Sequence, residues 1–330
     1  MKKMISNQFT ELLKTKKVLL TDGATGTNLF EQGLESGAAP ELWNSDGVQS
    51  QVIIDLHLSF LRAGSDIILT NTFGANRSRM KLHGAENQIN QINRNAVALA
   101  KIASQFYAKD KIRNAIAGSI GPTGEIFEPL GSMSIKEASE IFREQAQGLA
   151  DGGVDCFWIE TMSSEEELKA ALAGVRGFDI PVVATVSFDT NGHTMMGISP
   201  REFHSFIRAK VHALGANCGT GPEEALKALE EMLSVSSESF DTIVIKANCG
   251  IPQFQGSEIV YSGTPTLMAA YAAMAAQMGA KIIGGCCGTT PEHIRAMREA
   301  LDLWIKVQEK DLPAVTKHPK ERRRTFKAID

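Results

Sequence analysis

Long uncharged apolar runs are missing from this sequence of 330 residues. A membrane-spanning helix needs about 20 such residues in a row. The amino terminus is also followed by charged residues at the place where a secretory signal would be apolar. We therefore expect a cytoplasmic protein that does not associate with a membrane.

A large excess of charge of one sign is missing as well, since the net charge is −4 at pH 7. This balance gives no general reason to expect a nucleic-acid partner. The exception is a basic C-terminal tail, residues 311–330, which we interpret as a solvated terminal segment. The expected partners are small-molecule substrates, and the composition does not predict an oligomeric state.

Cysteine is rare: the chain has five, which is an odd number. In a cytoplasmic protein this count argues against a disulfide framework and leaves metal binding, catalysis or simple burial. Hydrophobic residues make up 43% of the chain and charged residues 22%. That composition is enough to bury a large core without covalent cross-links.

Eight short apolar runs recur along the chain, and segments with helical spacing lie between them. Continuous apolar strands that alternate with helices indicate a parallel sheet covered on both faces. Eight such units predict an α/β fold, a single (β/α)8 TIM barrel over residues 1–310, with a doubly wound open sheet as the alternative. The predicted strands are residues 18–21, 66–70, 115–117, 154–159, 182–186, 211–216, 242–246 and 281–283.

The residues that follow each run are candidates for the active site, because a barrel of this kind places its site at the carboxyl ends of the strands. Four cysteines fall there, namely Cys218, Cys249, Cys286 and Cys287. Thiolates that converge on one point are suitable ligands for zinc. Cysteine is also a common buried residue, and the spacing matches no short zinc motif. The pattern leaves both a metal site and simple burial open.

Four segments at the ends of these runs carry a more specific pattern. They are Asp22-Gly23-Ala24-Thr25-Gly26-Thr27, Trp158-Ile159-Glu160-Thr161-Met162, Asn217-Cys218 and Gly284-Gly285-Cys286-Cys287-Gly288-Thr289. In this order the segments resemble the homocysteine S-methyltransferase family, which includes the betaine–homocysteine enzymes. The resemblance implies a TIM barrel and an enzyme that transfers a methyl group to the thiol of L-homocysteine, forming methionine.

The resemblance also implies that Zn²⁺ is bound by Cys218, Cys286 and Cys287. Three sulfur ligands leave a fourth position open, which suits a substrate that is itself a thiol. Zinc would keep that thiol ionised at neutral pH. Cys249 lies where the family needs no cysteine, so we interpret it as a neighbour of the metal and not as a ligand.

The resemblance further implies that Asp22 and Glu160 hold the amino group of homocysteine. Backbone N–H groups near Gly23 and Ala24 would receive its carboxylate. Both roles agree with simple chemistry, because inward carboxylates pair with an ammonium group and glycine-rich turns let backbone donors approach a carboxylate.

The methyl donor is expected to be an onium compound, whose permanent positive charge favours aromatic walls. Trp43 and Phe73 are the candidates for those walls. Glycine betaine or dimethylsulfoniopropionate is the first expectation, partly because no cobalamin-binding modules follow the barrel in this sequence. S-methylmethionine and a separate corrinoid protein are the alternatives.

Two alternatives belong to other classes of protein. Lys246, near the end of the seventh run, would suit a Schiff-base aldolase, although this leaves the cysteines unexplained. Cys286 and Cys287 would suit a zinc-binding or redox-sensing thiol protein if they formed a reversible disulfide.

Overall fold

The computed structural model describes residues 7–108, 113–236, 242–255 and 258–310. Eight parallel strands form one sheet, and two further strands form a separate antiparallel hairpin. In chain order the strands are β1 (Leu19–Leu20), β2 (Ile67–Leu69), β3 (Ala115–Ile120), β4 (Cys156–Met162), β5 (Val182–Val186), β6 (Ala213–Cys218), β7 (Ile243–Ala247), the hairpin pair β8 (Pro252–Gln255) and β9 (Glu258–Tyr261), and β10 (Ile282–Gly285).

The eight-stranded sheet closes on itself. Its hydrogen-bonded order is β1-β10-β7-β6-β5-β4-β3-β2, and a parallel bridge between Thr21 and Ile67 joins the first strand to the last. Across that seam the Asp66 N–H donates to the Leu20 carbonyl at 2.7 Å, and the Asp22 N–H donates to the Ile67 carbonyl at 3.0 Å. The predicted TIM barrel is therefore confirmed, and the open sheet is wrong.

Helices connect the strands and surround the barrel, as expected from the alternating pattern. They are α1 (Gln8–Thr15), α2 (Gly26–Phe30), α3 (Gln49–Ala63), α4 (Arg77–Lys81), α5 (Ile89–Tyr107), α6 (Ile135–Gly152), α7 (Glu165–Gly174), α8 (Pro200–Ile207), α9 (Pro222–Val235), α10 (Pro265–Met278) and α11 (Pro291–Lys310), with a short 3-10 helix at Pro40–Asn44. Gly64, Gly153 and Gly279 end α3, α6 and α10 in the left-handed conformation that is common at the carboxyl-terminal ends of helices.

Two apolar layers hold the barrel together. The larger lies between the strands and the surrounding helices, and the smaller fills the interior of the barrel with side chains such as Trp158 and Val244. Phe9 and Leu12 of α1 belong to the interior layer, and the Asn7 amide donates to the Asp155 carbonyl just before β4. Helix α1 therefore covers the amino-terminal end of the barrel, and the candidate site lies at the opposite end.

Some elements were not predicted from the sequence. Helices α1 and α8 have eight residues each, so their apolar period repeats too few times to stand out. The hairpin β8–β9 lies between β7 and α10, where no regular apolar alternation marks it. The predicted basic tail, residues 311–330, lies outside the described residues, so the boundary at residue 310 stays a prediction. Among the described helices none is long and apolar enough to cross a membrane.

The close contact between β6 and β7 leads to a test of barrel packing. A Cβ atom added at Gly215 would lie 1.7 Å from the backbone oxygen of Val244, so the strands would have to separate. We expect Gly215→Ala to lower the free energy of unfolding by about 1–3 kcal/mol or more, measured by urea denaturation. Gly47→Ala is the control, because a Cβ atom there meets nothing within 4 Å. Equal stability of the two variants would contradict this packing.

Candidate active site

Three cysteine sulfurs meet at the carboxyl-terminal end of the barrel. The Sγ atoms of Cys218, Cys286 and Cys287 all lie within 4.8 Å of one another. The distance from Cys218 to Cys286 is 2.9 Å, and the distance from Cys218 to Cys287 is 3.9 Å. The two segments that the sequence places 68 residues apart therefore bring their thiols to one point.

The local backbone makes this convergence possible. Cys218 is the last residue of β6 and has φ of +61°, a left-handed conformation that is unusual for a residue with a side chain. Cys286 and Cys287 follow β10 in a turn, and Gly288 next to them has φ of +75°. Because the chain leaves the regular strand there, two adjacent side chains turn towards the same point.

The sulfur cluster fits a zinc ion in its chemistry and size. Tetrahedral zinc with bonds to sulfur of about 2.3 Å separates two ligand sulfurs by roughly 3.8 Å. The 3.9 Å pair already has this spacing, and the 2.9 Å pair would have to widen. Hydrogen bonds from Cys218 and Cys286 lower the pKa of Cys287, which favours the thiolate form that zinc binds.

Cys249 lies apart from this cluster. It follows β7, is almost completely buried, and is not among the residues whose sulfurs come together in the described part of the chain. Burial raises the pKa of its thiol to about 11. Its backbone N–H donates to the Cys287 carbonyl at 2.8 Å, so it touches the metal-binding segment through its main chain.

Two buried carboxylates lie in the same end of the barrel. One oxygen of Asp22 accepts a hydrogen bond from the Leu69 N–H at 2.7 Å, and one oxygen of Glu160 accepts from the Ser119 hydroxyl at 2.5 Å. The second oxygen of Asp22, Oδ1, has no hydrogen-bond partner. Each carboxylate is therefore fixed through one oxygen, and the other oxygen of Asp22 makes no hydrogen bond.

Lys246 of β7 is a buried cation between these carboxylates. Its Nζ lies 3.8 Å from Asp22 Oδ1 and 4.0 Å from Glu160 Oε2, which are ion-pair distances beyond hydrogen-bonding range. Burial opposes its charge, but Glu160 and Asp22 outweigh burial and raise the pKa of Lys246. A Schiff-base lysine must be a neutral amine when it attacks, so this environment argues against the aldolase alternative.

The turn after β1 forms one wall of the cavity. Gly23 and Ala24 both line it. The Ala24 N–H donates to the Thr289 carbonyl at 3.1 Å, which occupies one of the two backbone donors expected for a carboxylate. A Cβ atom at Gly23 would lie 2.4 Å from the same carbonyl oxygen, so this position requires glycine.

The cavity has a volume of about 370 Å³ and joins the sulfurs, Glu160 and Lys246. Its aromatic walls are Phe30, Phe73 and Tyr261. The Tyr261 hydroxyl faces the sulfur of Cys287 and helps to lower the pKa of that thiol. Of the two aromatic residues predicted from the sequence, Phe73 lines the cavity, whereas Trp43 packs against the core between barrel and helices.

Sequence reasoning missed several of these contributors. No pattern indicated Phe30 or Tyr261, because one lies on a five-residue helix and the other on the hairpin. Asn217 and Asn248 were given no role, although a signal existed: the tripeptide Asn-Cys-Gly occurs twice, at residues 217–219 and 248–250. Both copies end barrel strands that are neighbours in the sheet.

The fold and the site define a TIM-barrel protein whose cavity holds a three-thiol cluster, suited to a metal, together with Glu160 and Lys246, and Asp22 lies beside Lys246. The model of the homocysteine S-methyltransferase family matches residues 19–301. The chain belongs to this family, and with it to the methyltransferases.

Curated relatives are much longer than this chain. Methionine synthase of Mycobacterium leprae is 30% identical over 313 residues, which cover 88% of this chain and 25% of the relative. Methionine synthase of Mycobacterium tuberculosis is 31% identical over 314 residues with the same coverage. The chain thus spans about a quarter of the length of these relatives.

Solved structures of similar size match the whole barrel. The homocysteine methyltransferase MmuM from Escherichia coli in its oxidized form has a TM-score of 0.74 and 25% identity, over 89% of this chain and 99% of that chain. The metallated form of the same protein has a TM-score of 0.73 and 24% identity, and the match covers the same fractions of the two chains. This second likeness supports the fold.

The environment of Asp22 leads to a prediction for stability against pH. Burial, partly offset by Lys246, raises the pKa of Asp22 from 3.8 to about 7, so the native protein binds this proton more tightly than the unfolded chain. The contribution of Asp22 to stability is therefore full below about pH 4 and is lost as the pH rises towards 7.

We expect the stability of Asp22→Asn relative to the wild type to increase between about pH 5 and about pH 8, because asparagine has no proton to lose. Urea unfolding of the metal-free proteins at both pH values measures the difference. Asp55→Asn, on the exposed side of α3, controls for the removal of a negative charge. A difference between Asp22→Asn and wild type that stays constant with pH would contradict the buried environment of Asp22.

Proposed function

We propose that the protein is a zinc-dependent homocysteine S-methyltransferase that transfers a methyl group from an onium donor to L-homocysteine and forms methionine. The observation that carries the proposal is the convergence of three sulfurs in one cavity that Glu160 and Lys246 also line, with the buried Asp22 beside Lys246. Membership of the family and the likeness to a homocysteine methyltransferase from Escherichia coli support homocysteine as the acceptor.

Cys218, Cys286 and Cys287 would hold the zinc ion. When bound, zinc supplies a Lewis acid that favours the thiolate form of a thiol at neutral pH. Three protein sulfurs leave a position for the substrate sulfur, and the separation of Cys249 from the cluster supports its interpretation as a neighbour. A metallated form of the similar homocysteine methyltransferase from Escherichia coli has been solved, which supports metal binding in this proposal.

Asp22 and Glu160 are proposed to bind the ammonium group of homocysteine. The unpartnered oxygen of Asp22 is a ready acceptor, and Glu160 lines the cavity. Lys246 balances part of their negative charge, so one further cation makes the group of four charges neutral. The carboxylate of homocysteine is proposed to lie against the turn at Gly23 and Ala24, which forms the neighbouring wall.

Methyl transfer then depends on the alignment of the two substrates and needs no proton transfer. The substrate sulfur forms a bond to the methyl carbon while the bond from that carbon to the donor nitrogen or sulfur breaks, and the donor leaves as a neutral amine or sulfide. The thiol has already lost its proton, so no side chain has to act as a general base at this step. Holding both substrates in line in one cavity supplies much of the rate advantage.

Glycine betaine or dimethylsulfoniopropionate is the proposed donor. Phe73, together with Phe30 and Tyr261, offers aromatic surface for a methylonium group within the cavity. Trp43 is less suited than the sequence suggested, because it packs against the core. S-methylmethionine, which is also an onium compound, and a corrinoid protein are the alternative donors.

The proposed function is tested with a panel of donors. Zinc-loaded protein is incubated with homocysteine and each donor in turn, and methionine is detected by mass spectrometry. We expect turnover with an onium donor, and loss of both zinc and turnover in Cys287→Ala. Cys249→Ala is the matched control and should keep its zinc. Undiminished turnover in metal-free protein would rule out the zinc-dependent reaction.

Glu160→Gln tests the binding site for the substrate ammonium. The amide of glutamine has nearly the same size as the carboxylate of Glu160 and still accepts from the Ser119 hydroxyl, but it carries no charge. We expect the Kd of homocysteine to rise roughly 10- to 100-fold, the usual effect of losing a charged hydrogen bond, as measured by calorimetry. The same thiol acid without its amino group is the control ligand, and its affinity should change little. An equal loss for both ligands would mean that Glu160 does not contact the ammonium.

A further inference from the structure

The two segments that carry the sulfur cluster are not neighbours in the barrel. Cys218 ends β6 and Cys286 follows β10, and strand β7 lies between these strands. Ala247, the last residue of β7, pairs with Cys218 on one side and with Gly285 on the other. The residue that follows Ala247 therefore occupies the midpoint between both cysteine-bearing segments.

That residue is Asn248, and its side chain contacts both segments. Its Nδ2 donates to the carbonyl of Gly219, next to Cys218, at 2.6 Å. Its Oδ1 accepts from the backbone N–H of Cys287 at 3.0 Å. The amide of Asn248 thus donates to the segment that carries Cys218 and accepts from the segment that carries Cys287. The side chain is buried, with 6% of the residue surface exposed.

Backbone hydrogen bonds keep this amide in place. The Cys286 N–H donates to the Ala247 carbonyl at 2.7 Å, and the Cys249 N–H donates to the Cys287 carbonyl at 2.8 Å. The side chain of Cys249 packs tightly behind the loop, because a Cβ atom at Gly263 would lie 2.6 Å from its sulfur. The end of β7 therefore offers no sulfur to the cluster but fixes both segments that do.

We propose that Asn248 is a positioning residue of the metal site, which sets the distance between the Cys218 segment and the Cys286–Cys287 segment before the metal binds. Groups that orient metal ligands through hydrogen bonds contribute to metal affinity because less conformational freedom is lost on binding. Both partners of the amide are backbone atoms of a cysteine or its immediate neighbour, so loss of the amide frees the two ligand segments relative to each other. This inference rests on the zinc site proposed above.

The test measures zinc affinity by competition with a chromophoric chelator, using the full chain and the zinc ion alone. Asn248→Ala is expected to raise the Kd of zinc by about 10- to 100-fold, the usual range for partners of metal ligands. The matched control is Asn93→Ala, since Asn93 is also buried and its amide donates to Ala75 and Ile89 carbonyls at 2.8 Å, within and beside α5. That variant loses two comparable hydrogen bonds without touching the cysteine segments, so its zinc Kd should stay within about threefold of the wild type.

Asn248→Asp provides a second variant that keeps the shape of the side chain. Its carboxylate still accepts from the Cys287 N–H but has no hydrogen to donate to the Gly219 carbonyl, so the Kd of zinc should again rise at least about tenfold. The melting temperatures of the metal-free variants, compared with that of Asn93→Ala, separate a general loss of stability from a loss of metal affinity.

A zinc Kd within threefold of the wild type in Asn248→Ala and Asn248→Asp would overturn the inference while leaving the proposed function intact. A wild-type protein that binds no zinc would overturn both. Weaker zinc binding in Asn93→Ala, equal to that in Asn248→Ala, would also overturn it, because the effect would then follow stability and not position.

Discussion

Closure of the barrel is the constraint on which the candidate site depends. The sulfur of Cys218 and those of Cys286 and Cys287 come from β6 and β10, which lie on either side of β7. Parallel strands in register bring their carboxyl ends to one rim, so residues far apart in the sequence become neighbours in space. The hydrogen bonds between Asp22 and Ile67 and between Asp66 and Leu20 complete the ring. They also place Asp22, at the seam, at the same end of the barrel as the sulfurs.

Charge balance is the second constraint on this cavity. Two carboxylates buried without a cation would be costly, since burial favours their neutral forms. Lys246 supplies one positive charge at 3.8 and 4.0 Å from them and makes no short hydrogen bond in the described structure. With both carboxylates ionised, these three groups carry one net negative charge, which an ammonium group would neutralise. A lysine that the sequence suggested as a possible nucleophile acts here as an internal counter-ion.

The barrel could be predicted from the sequence because its parallel strands are short apolar runs and the longer helices between them have a helical period and end signals. The cysteines could be predicted as candidates because they follow those runs, and the specific motif around Cys286 added the family. The side chains that organise the site could not be predicted in the same way. The amide of Asn248 acts through two backbone groups from other strands, and Tyr261 reaches Cys287 from a hairpin. Such contacts depend on three-dimensional packing, which no local pattern records.

The site divides between rigid and variable parts of the fold. The sulfurs and carboxylates lie at strand ends, where neighbouring strands fix the backbone, and this region would hold the thiol substrate. The aromatic walls come from outside the strands: Phe30 from α2, Phe73 from the loop after β2, and Tyr261 from the hairpin. Loops and short helices tolerate sequence change better than barrel strands. The acceptor side of a TIM-barrel methyltransferase can therefore stay constant while the donor side changes. For this reason the sequence pattern identifies the family through its strand ends, whereas the aromatic residues of the proposed donor site carry no such pattern.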